Sequence, residues 1–338
     1  MPHVPTATTM PAAAEAVFVP LSYPPLCIPL GVLAIAGLLC HGGRLRGTTL
    51  VAPWVWAILA IFAIVAAELA TELVPSLDRS PGLSATRYAA YAASLCPIVA
   101  LLGAKRPQDR GWQLIVLSLW GIMLVPVFSS LFFSSGVLSV ELIWSCFLAV
   151  LIAIGFFNTI LTKYWLAGIL VTAGQIFALG DVLPGLSSWF GAASMQQLSA
   201  GSQRSSITLA LFVLAIWSVH LVSARSQSSQ HIDPQLPTGS RRIAEMNQLW
   251  FDFRDAFGTI WALRIAERVN ANAARYDWGI VLRWGGFEPQ SLEAEENKSP
   301  DLSQLPAETI DALESSTRVL LRRFVSPEWI DARLKHSK

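Results

Sequence analysis

Seven long apolar runs in the first two thirds of the chain constrain its fold more than any other feature. A bilayer core is crossed by about 20 mostly apolar helical residues. Only 14% of the 338 residues are charged, against about 25% in soluble domains, so a soluble fold is excluded. Because backbone amides in hydrocarbon must be bonded within their own segment, the runs predict transmembrane helices. They extend from Pro25 to Cys40, Leu50 to Leu73, Tyr88 to Ala104, Trp112 to Phe133, Leu138 to Phe157, Tyr164 to Leu183 and Ile207 to Ala224.

Pro97 lies in the middle of the third predicted span and Pro126 lies inside the fourth. Proline lacks a backbone N–H and its ring clashes with the preceding turn, so both spans are predicted to be kinked.

The basic residues of the short loops fall mainly on one side of the predicted membrane. Arg44, Arg46, Lys105, Arg106, Arg110, Lys163, Arg225, Arg241 and Arg242 share that side, and the loops between spans on the other side hold Arg79, Arg87 and Arg204. The positive-inside rule therefore predicts that residues 1–20 form a short external tail and that the C-terminal region is cytoplasmic.

The composition changes after the seventh span, which predicts a division into a transmembrane domain (21–225), a Ser/Gln/Pro linker (226–240) and a mainly helical module (241–338). Apolar residues at helical spacing predict one long helix from Arg241 to Tyr276, although Gly258 weakens its middle. A short strand is expected within 277–287, a loop at 288–306 and a helix at 307–324. Ser326, Pro327 and Glu328 are typical of the start of a last helix.

An aromatic stripe follows the long helix of the module. Trp250, Phe253, Phe257 and Trp261 carry it. Two interpretations are open: the stripe is buried against the module's own smaller elements, or it is the interface for a protein partner or a second copy of the chain. With about 100 residues and few other large apolar runs, the module has little material to cover it.

Carboxylates near the outer ends of several spans are candidates for transport, because ionisable groups inside a membrane are costly. Glu68 and Glu72 lie one turn apart on the second span, and Glu141 and Asp181 fall near outer ends of other spans. Together they could bind a cation or relay protons, with Gln175 extending a polar path. The alternative is that they are solvated, or paired with Arg87 and Arg204.

The loop between the third and fourth spans, GAKRPQDRGW, concentrates charge at a tight turn. Lys105, Arg106, Asp109 and Arg110 favour either an orientation signal or a contact with phospholipid headgroups or with the C-terminal module.

Two segments also resemble an uncharacterised bacterial family of multi-pass membrane proteins: LCPIVALLGAKRPQDRGWQLIVLSLW (95–120) and FRDAFGTIWALRIAERVN (253–270). The resemblance implies a multi-pass protein of the bacterial cytoplasmic (inner) membrane, and it implies no activity and no functional residues.

The sequence contains no phosphate-binding, dinucleotide-binding or zinc motif, so no catalytic residue, cofactor or metal is predicted. The net charge of +1 gives no field that would attract nucleic acid. Three hypotheses stay open. The first is an anchor, assembly or regulatory subunit acting through its cytoplasmic module. The others are a transporter or channel, and a membrane enzyme acting on lipid-linked substrate.

Overall fold

The computed structural model describes residues 26–74, 84–105, 109–132, 140–186, 201–228, 237–290 and 305–334. Seven segments within them are long and apolar enough to cross a membrane. This confirms the predicted fold class, an all-α multi-pass membrane protein. The helices of this bundle are α1 (Cys27–His41), α2 (Val51–Leu73), α3 (Ala85–Ala93), α4 (Cys96–Leu102), α5 (Asp109–Met123), α6 (Val125–Phe132), α7 (Leu142–Thr159), α8 (Trp165–Leu179) and α9 (Gly201–Ser228).

Two of the seven spans are broken where the prolines predicted a kink. The third span divides into α3 and α4, and Pro97 lies in the first turn of α4. The fourth divides into α5 and α6 one residue before Val125, which precedes Pro126. Each break falls next to a proline because its ring cannot continue the preceding helix.

The C-terminal module contains α10 (Thr238–Arg275), strands β1 (Ile280–Arg283) and β2 (Gly286–Pro289), α11 (Ala307–Leu321) and α12 (Pro327–Asp331). Its predicted strand is an antiparallel hairpin in which Arg283 pairs with Gly286. The Asn270 side chain clamps this hairpin to α10, because it bonds both backbone groups of Leu282. The cap predicted for the last helix is present, since the Ser326 hydroxyl accepts from the N–H of Trp329.

The predicted long helix of the module is not continuous. Gly258 interrupts α10 with φ 79° and ψ −177°, which divides it into two helices joined by a sharp bend. Both neighbouring helices extend into the expected linker (226–240), since α9 continues to Ser228 and α10 begins at Thr238.

The buried side chains form two apolar cores. One lies within the bundle, and the other lies in the module but includes Leu50 and Ala104 from the bundle. The module therefore packs directly on the bundle. We call the membrane end that carries it the module end, and the other the opposite end.

Candidate functional site

The predicted carboxylate Glu68 lies in a buried polar cluster at the opposite end. Arg87 donates to its two oxygens at 2.8 and 3.2 Å, and the Ser205 hydroxyl donates to it at 2.5 Å. Ser205 in turn contacts the Tyr91 hydroxyl at 2.6 Å. Glu68 and Arg87 are 3% and 5% exposed, so this is a buried ion pair that joins α2, α3 and α9.

A second ion pair lies beside the first. Arg204 donates to both oxygens of Asp181, at 2.7 and 2.9 Å, which ties the start of α9 to the turn after α8. Arg204 and Ser205 are consecutive in α9, so this helix binds Asp181 through the first and Glu68 through the second. A paired Arg–carboxylate fork fixes the relative position of helices more firmly than a single contact does.

The other predicted carboxylates lie elsewhere. Glu72 and Glu141 are exposed, and Glu141 occupies the position just before α7, where its carbonyl accepts from Trp144 and Ser145. The structure thus brings together Glu68 and Asp181, each with an arginine, which is the paired alternative that the sequence left open for these two.

A cavity of about 380 Å³ lies among the bundle helices towards the module end. Its walls come from α1, α2, α4, α7, α8, α9 and α10, and most of the lining side chains are apolar. The predicted Gln175 lines it and is held in place by donating to the carbonyl of Ser94 at 3.0 Å. From the module, Asp255, Ala256 and Gly258 contribute to the wall. A ligand in this cavity would therefore touch both parts of the molecule.

Asn158, at the end of α7, holds the bend of α10. Its side-chain oxygen accepts from the N–H of Ile260 at 3.0 Å, its amide donates to the carbonyl of Phe257 at 3.5 Å, and its own carbonyl accepts from Thr259 at 3.2 Å. A Cβ at Gly258 would lie 2.1 Å from the Asn158 amide nitrogen. Glycine is required there by both the backbone angles and the close approach.

Three further hydrogen bonds complete what we call the junction, the set Thr49, Leu101, Ala104, Asn158, Gly258, Trp261 and Phe324. The Trp261 indole donates to the carbonyl of Leu101 at 2.9 Å. Thr49 donates its backbone N–H to Phe324 at 2.9 Å and its hydroxyl to Ala104 at 2.7 Å. Side-chain and backbone groups of the bundle therefore bond the module at several separate points.

The aromatic side chains predicted as a partner interface lie inside the chain. Trp250, Phe253 and Phe257 are at most 2% exposed, and Trp261 packs against their cluster. Phe324, after α11, stacks edge-on against Phe253, Phe257 and Trp261 with ring centroids 4.9 to 5.4 Å apart. The module's own elements and the bundle thus cover Trp250, Phe253 and Phe257, which is the first of the two interpretations, so these three residues do not form an exposed partner interface. Trp261 is half-buried.

The charged loop after α4 is described only in part. Lys105 is half-buried, Arg106 lies outside the described residues, and for Asp109 and Arg110 the structure describes only the backbone at the start of α5. The residues just before the loop do contact the module, through Leu101 and Ala104.

Asn158, Thr49 and Phe324 were not recognised in the sequence as functional. Each is an ordinary residue at the end of a helix, and only the packing of distant segments makes it a junction residue. Gly258 did carry a signal, as a glycine inside an otherwise helical pattern.

Comparisons of the chain with models of known protein families, with curated proteins and with solved structures found no match.

Proposed function

We propose that this multi-pass membrane protein is a regulatory or assembly subunit whose C-terminal module transmits the state of the bundle to a bound protein. The observation that carries the proposal is the bend of α10: Asn158 of the bundle holds it, and Gly258 also lines the cavity. A change in the spacing of α7 within the bundle therefore acts directly on the backbone of the module.

A groove on the module is the binding site that we propose for the partner. Leu263, Asn270 and Trp284 line it, together with Trp250, and Leu263 is 57% exposed. Glu267, Arg283 and Glu288 also line the groove, so its apolar contact at Leu263 lies among charged side chains. A partner segment that brings an apolar side chain flanked by polar groups therefore fits this groove. A second copy of the chain is the alternative partner.

The location is proposed on the charge pattern of the loops. The bacterial cytoplasmic membrane, with the module end facing the cytoplasm, agrees with the excess of Lys and Arg in the loops on that side. The partner is then a cytoplasmic protein or the cytoplasmic part of another membrane protein.

The geometry favours transport less, and it does not bear on the enzyme hypothesis. The transport hypothesis depended on carboxylates available to an ion, and Glu68 and Asp181 are each bound to an arginine. The enzyme hypothesis depended on the loop at 105–110, of which most side chains lie outside the described residues.

The test is purification of the full-length protein from its native membranes in mild detergent, with the associated proteins identified by mass spectrometry. Leu263→Asp places a charge in the groove, and Val319→Asp is the matched control, since Val319 is equally exposed, at 57%, but lies on α11 outside the groove. We expect a stoichiometric partner with the wild type and with Val319→Asp, and its loss with Leu263→Asp.

Retention of the same partner by both variants, or its absence from the wild type, would contradict the proposal. The mass of the intact complex separates a foreign partner from a second copy. Transmission through the bend is tested by Gly258→Ala, which leaves the groove residues unchanged and is expected to lower the yield of the complex.

A further inference from the structure

We infer that the cavity binds an uncharged, single-chain amphiphile whose polar end donates a hydrogen bond, such as a medium-chain alcohol. The inference deepens the proposed function by naming the ligand class of the bundle, and it rests on that function only for the consequence of binding.

The first argument is the volume. The cavity measures about 380 Å³, at the lower end of the roughly 300 to 1,000 Å³ of small-molecule sites. A heavy atom of a chain needs a volume similar to that of a water molecule, about 30 Å³, so roughly a dozen heavy atoms fit. That is the size of one medium-length chain.

The second argument is the charge of the lining. Asp255 is the only Asp, Glu, Lys, Arg or His among the described lining residues. Its carboxylate already accepts from Arg254 at 3.0 Å and lies 3.6 Å from the Lys163 ammonium. Neither an anionic nor a cationic head finds an unpaired counter-ion there, and burying an unpaired charge is costly. The lining therefore selects an uncharged ligand.

The third argument is the direction of the hydrogen bonds at the module end. The Thr159 hydroxyl donates to carbonyls of its own helix, those of Gly155 and Phe156. The Thr162 hydroxyl donates to the carbonyl of Thr159 at 2.7 Å and already accepts from the N–H of Tyr164 at 3.2 Å. The Thr159 oxygen is recorded only as a donor, so its lone pairs remain for a further bond. It can accept from a ligand, so an alcohol matches it, whereas a carboxylate or an ether, which only accepts, offers it no donor.

The ligand would also reach the bend of α10. Thr159 follows Asn158 directly, and Asp255 and Gly258 lie in the same wall. A chain that fills the cavity with its head at Thr159 therefore props α7 against α10 and favours the docked position of the module.

The test is photo-crosslinking of the full-length protein in nanodiscs with a diazirine derivative of dodecanol. Unlabelled dodecanol, dodecanoate, dodecylamine and dodecyl methyl ether compete in parallel. We expect labelling of lining residues and competition by dodecanol, with the other three at least about fivefold weaker, the effect of one hydrogen bond. Equal competition by all four would overturn the inference, as would stronger competition by dodecanoate or dodecylamine.

Two variants of α2 localise the binding. Ala57→Phe fills the cavity, and Leu59→Phe enlarges an exposed side chain of the same helix as the control. Labelling should be lost in the first variant and unchanged in the second, and labelling of Ala57→Phe at the wild-type level would overturn the inference. The competition series uses the wild type, so it decides even if Ala57→Phe does not fold.

Thr159→Val keeps the shape of the side chain and removes the accepting oxygen, whereas Thr159→Ser keeps that oxygen. A fall in dodecanol affinity of about fivefold in Thr159→Val, with recovery in Thr159→Ser, supports the assigned polar end, and equal affinities contradict it.

Partner retention with and without dodecanol separates the two proposals. Binding of dodecanol with no effect on the partner contradicts transmission through the bend and leaves the ligand class standing. A partner that is retained by a protein that binds no dodecanol contradicts the ligand class alone.

Discussion

At the opposite end of the bundle, ion pairs of two buried arginines tie α2 to α3 and α9 to the turn after α8. At the module end the contacts are mainly apolar rings and bonds to backbone groups, together with the Lys163–Asp255 ion pair. Separating α3 from α2 would leave Arg87 buried without Glu68, and separating α9 from the turn after α8 would leave Arg204 buried without Asp181. Separating the module would expose apolar surface and peptide groups, and water can satisfy the peptide groups.

The difference shows which end can rearrange. A buried charge without its partner is strongly unfavourable, so the opposite end has one stable arrangement. Thr49, Asn158, Trp261 and Phe324 carry no charge, and Asp255 keeps Arg254 of its own helix when it separates from Lys163, so the contacts at the module end can loosen together. This is consistent with a bundle that is fixed at one end and adjustable at the end that carries the module.

The largest effect is expected from breaking the fixed end with Glu68→Gln. The variant leaves Arg87 buried without a counter-charge, which costs about 3 to 5 kcal/mol in comparable buried pairs. The matched control is Glu72→Gln, one turn along α2 at an exposed position, where a change within about 0.5 kcal/mol is expected. Unfolding of the full-length protein in mixed micelles with increasing SDS measures both.

The double variant Glu68→Gln/Arg87→Gln sharpens this test, because it also removes the buried Arg87 charge that the single variant leaves without a counter-charge. It should recover part of the lost stability. If Glu68→Gln and Glu72→Gln had equal effects, the ion pair would not be what fixes this end.

A smaller but local effect is expected at the module end from Gly258→Ala. The backbone angles alone cost a residue with a Cβ about 1 to 3 kcal/mol, and the clash with Asn158 adds to that. Gly279→Ala is the control for a Cβ at a positive φ without a clash, because Gly279 has φ 65° and nothing lies within 4 Å of its Cβ position.

Limited proteolysis of the module, combined with unfolding in SDS, distinguishes the two glycine variants. Gly258→Ala should make the module cleavable while the bundle stays folded. Equal protection of the module in Gly258→Ala and Gly279→Ala would mean that the junction does not depend on the close approach to Asn158.

Sequence reasoning predicted the features of the two ends that depend on local rules. Hydropathy gave the seven spans, Pro97 and Pro126 marked the broken ones, and Ser326 marked the start of α12, because each of these effects acts within one or two helical turns. The same reasoning named Arg87 and Arg204 as possible partners of the outer carboxylates.

Sequence reasoning did not predict the contacts between distant segments. Thr49 bonds Phe324 across most of the chain, and Asn158 meets Gly258 about 100 residues away, with no pattern in the sequence that joins them. The aromatic stripe shows the same limit, since helical spacing of Trp250, Phe253 and Phe257 is identical whether a partner or the chain itself covers them.

The smallest effect is expected from removing a helix N-cap at each of the two ends. Ser84 caps α3 at the opposite end by accepting from the N–H of Arg87, and Ser326 caps α12 at the junction by accepting from the N–H of Trp329. Loss of such a cap costs typically about 1 kcal/mol. Ser84 is 1% exposed and Ser326 is half-buried, so water can replace the lost bond only at Ser326.

Ser84→Ala should therefore destabilise the protein more than Ser326→Ala, by about 1 kcal/mol or somewhat more, since an unsatisfied buried donor costs about 1 to 3 kcal/mol. Parallel unfolding curves in SDS measure the difference. The opposite order would mean that water reaches the ion-paired end more easily than the junction, and the assignment of a fixed end and an adjustable end would have to be reversed.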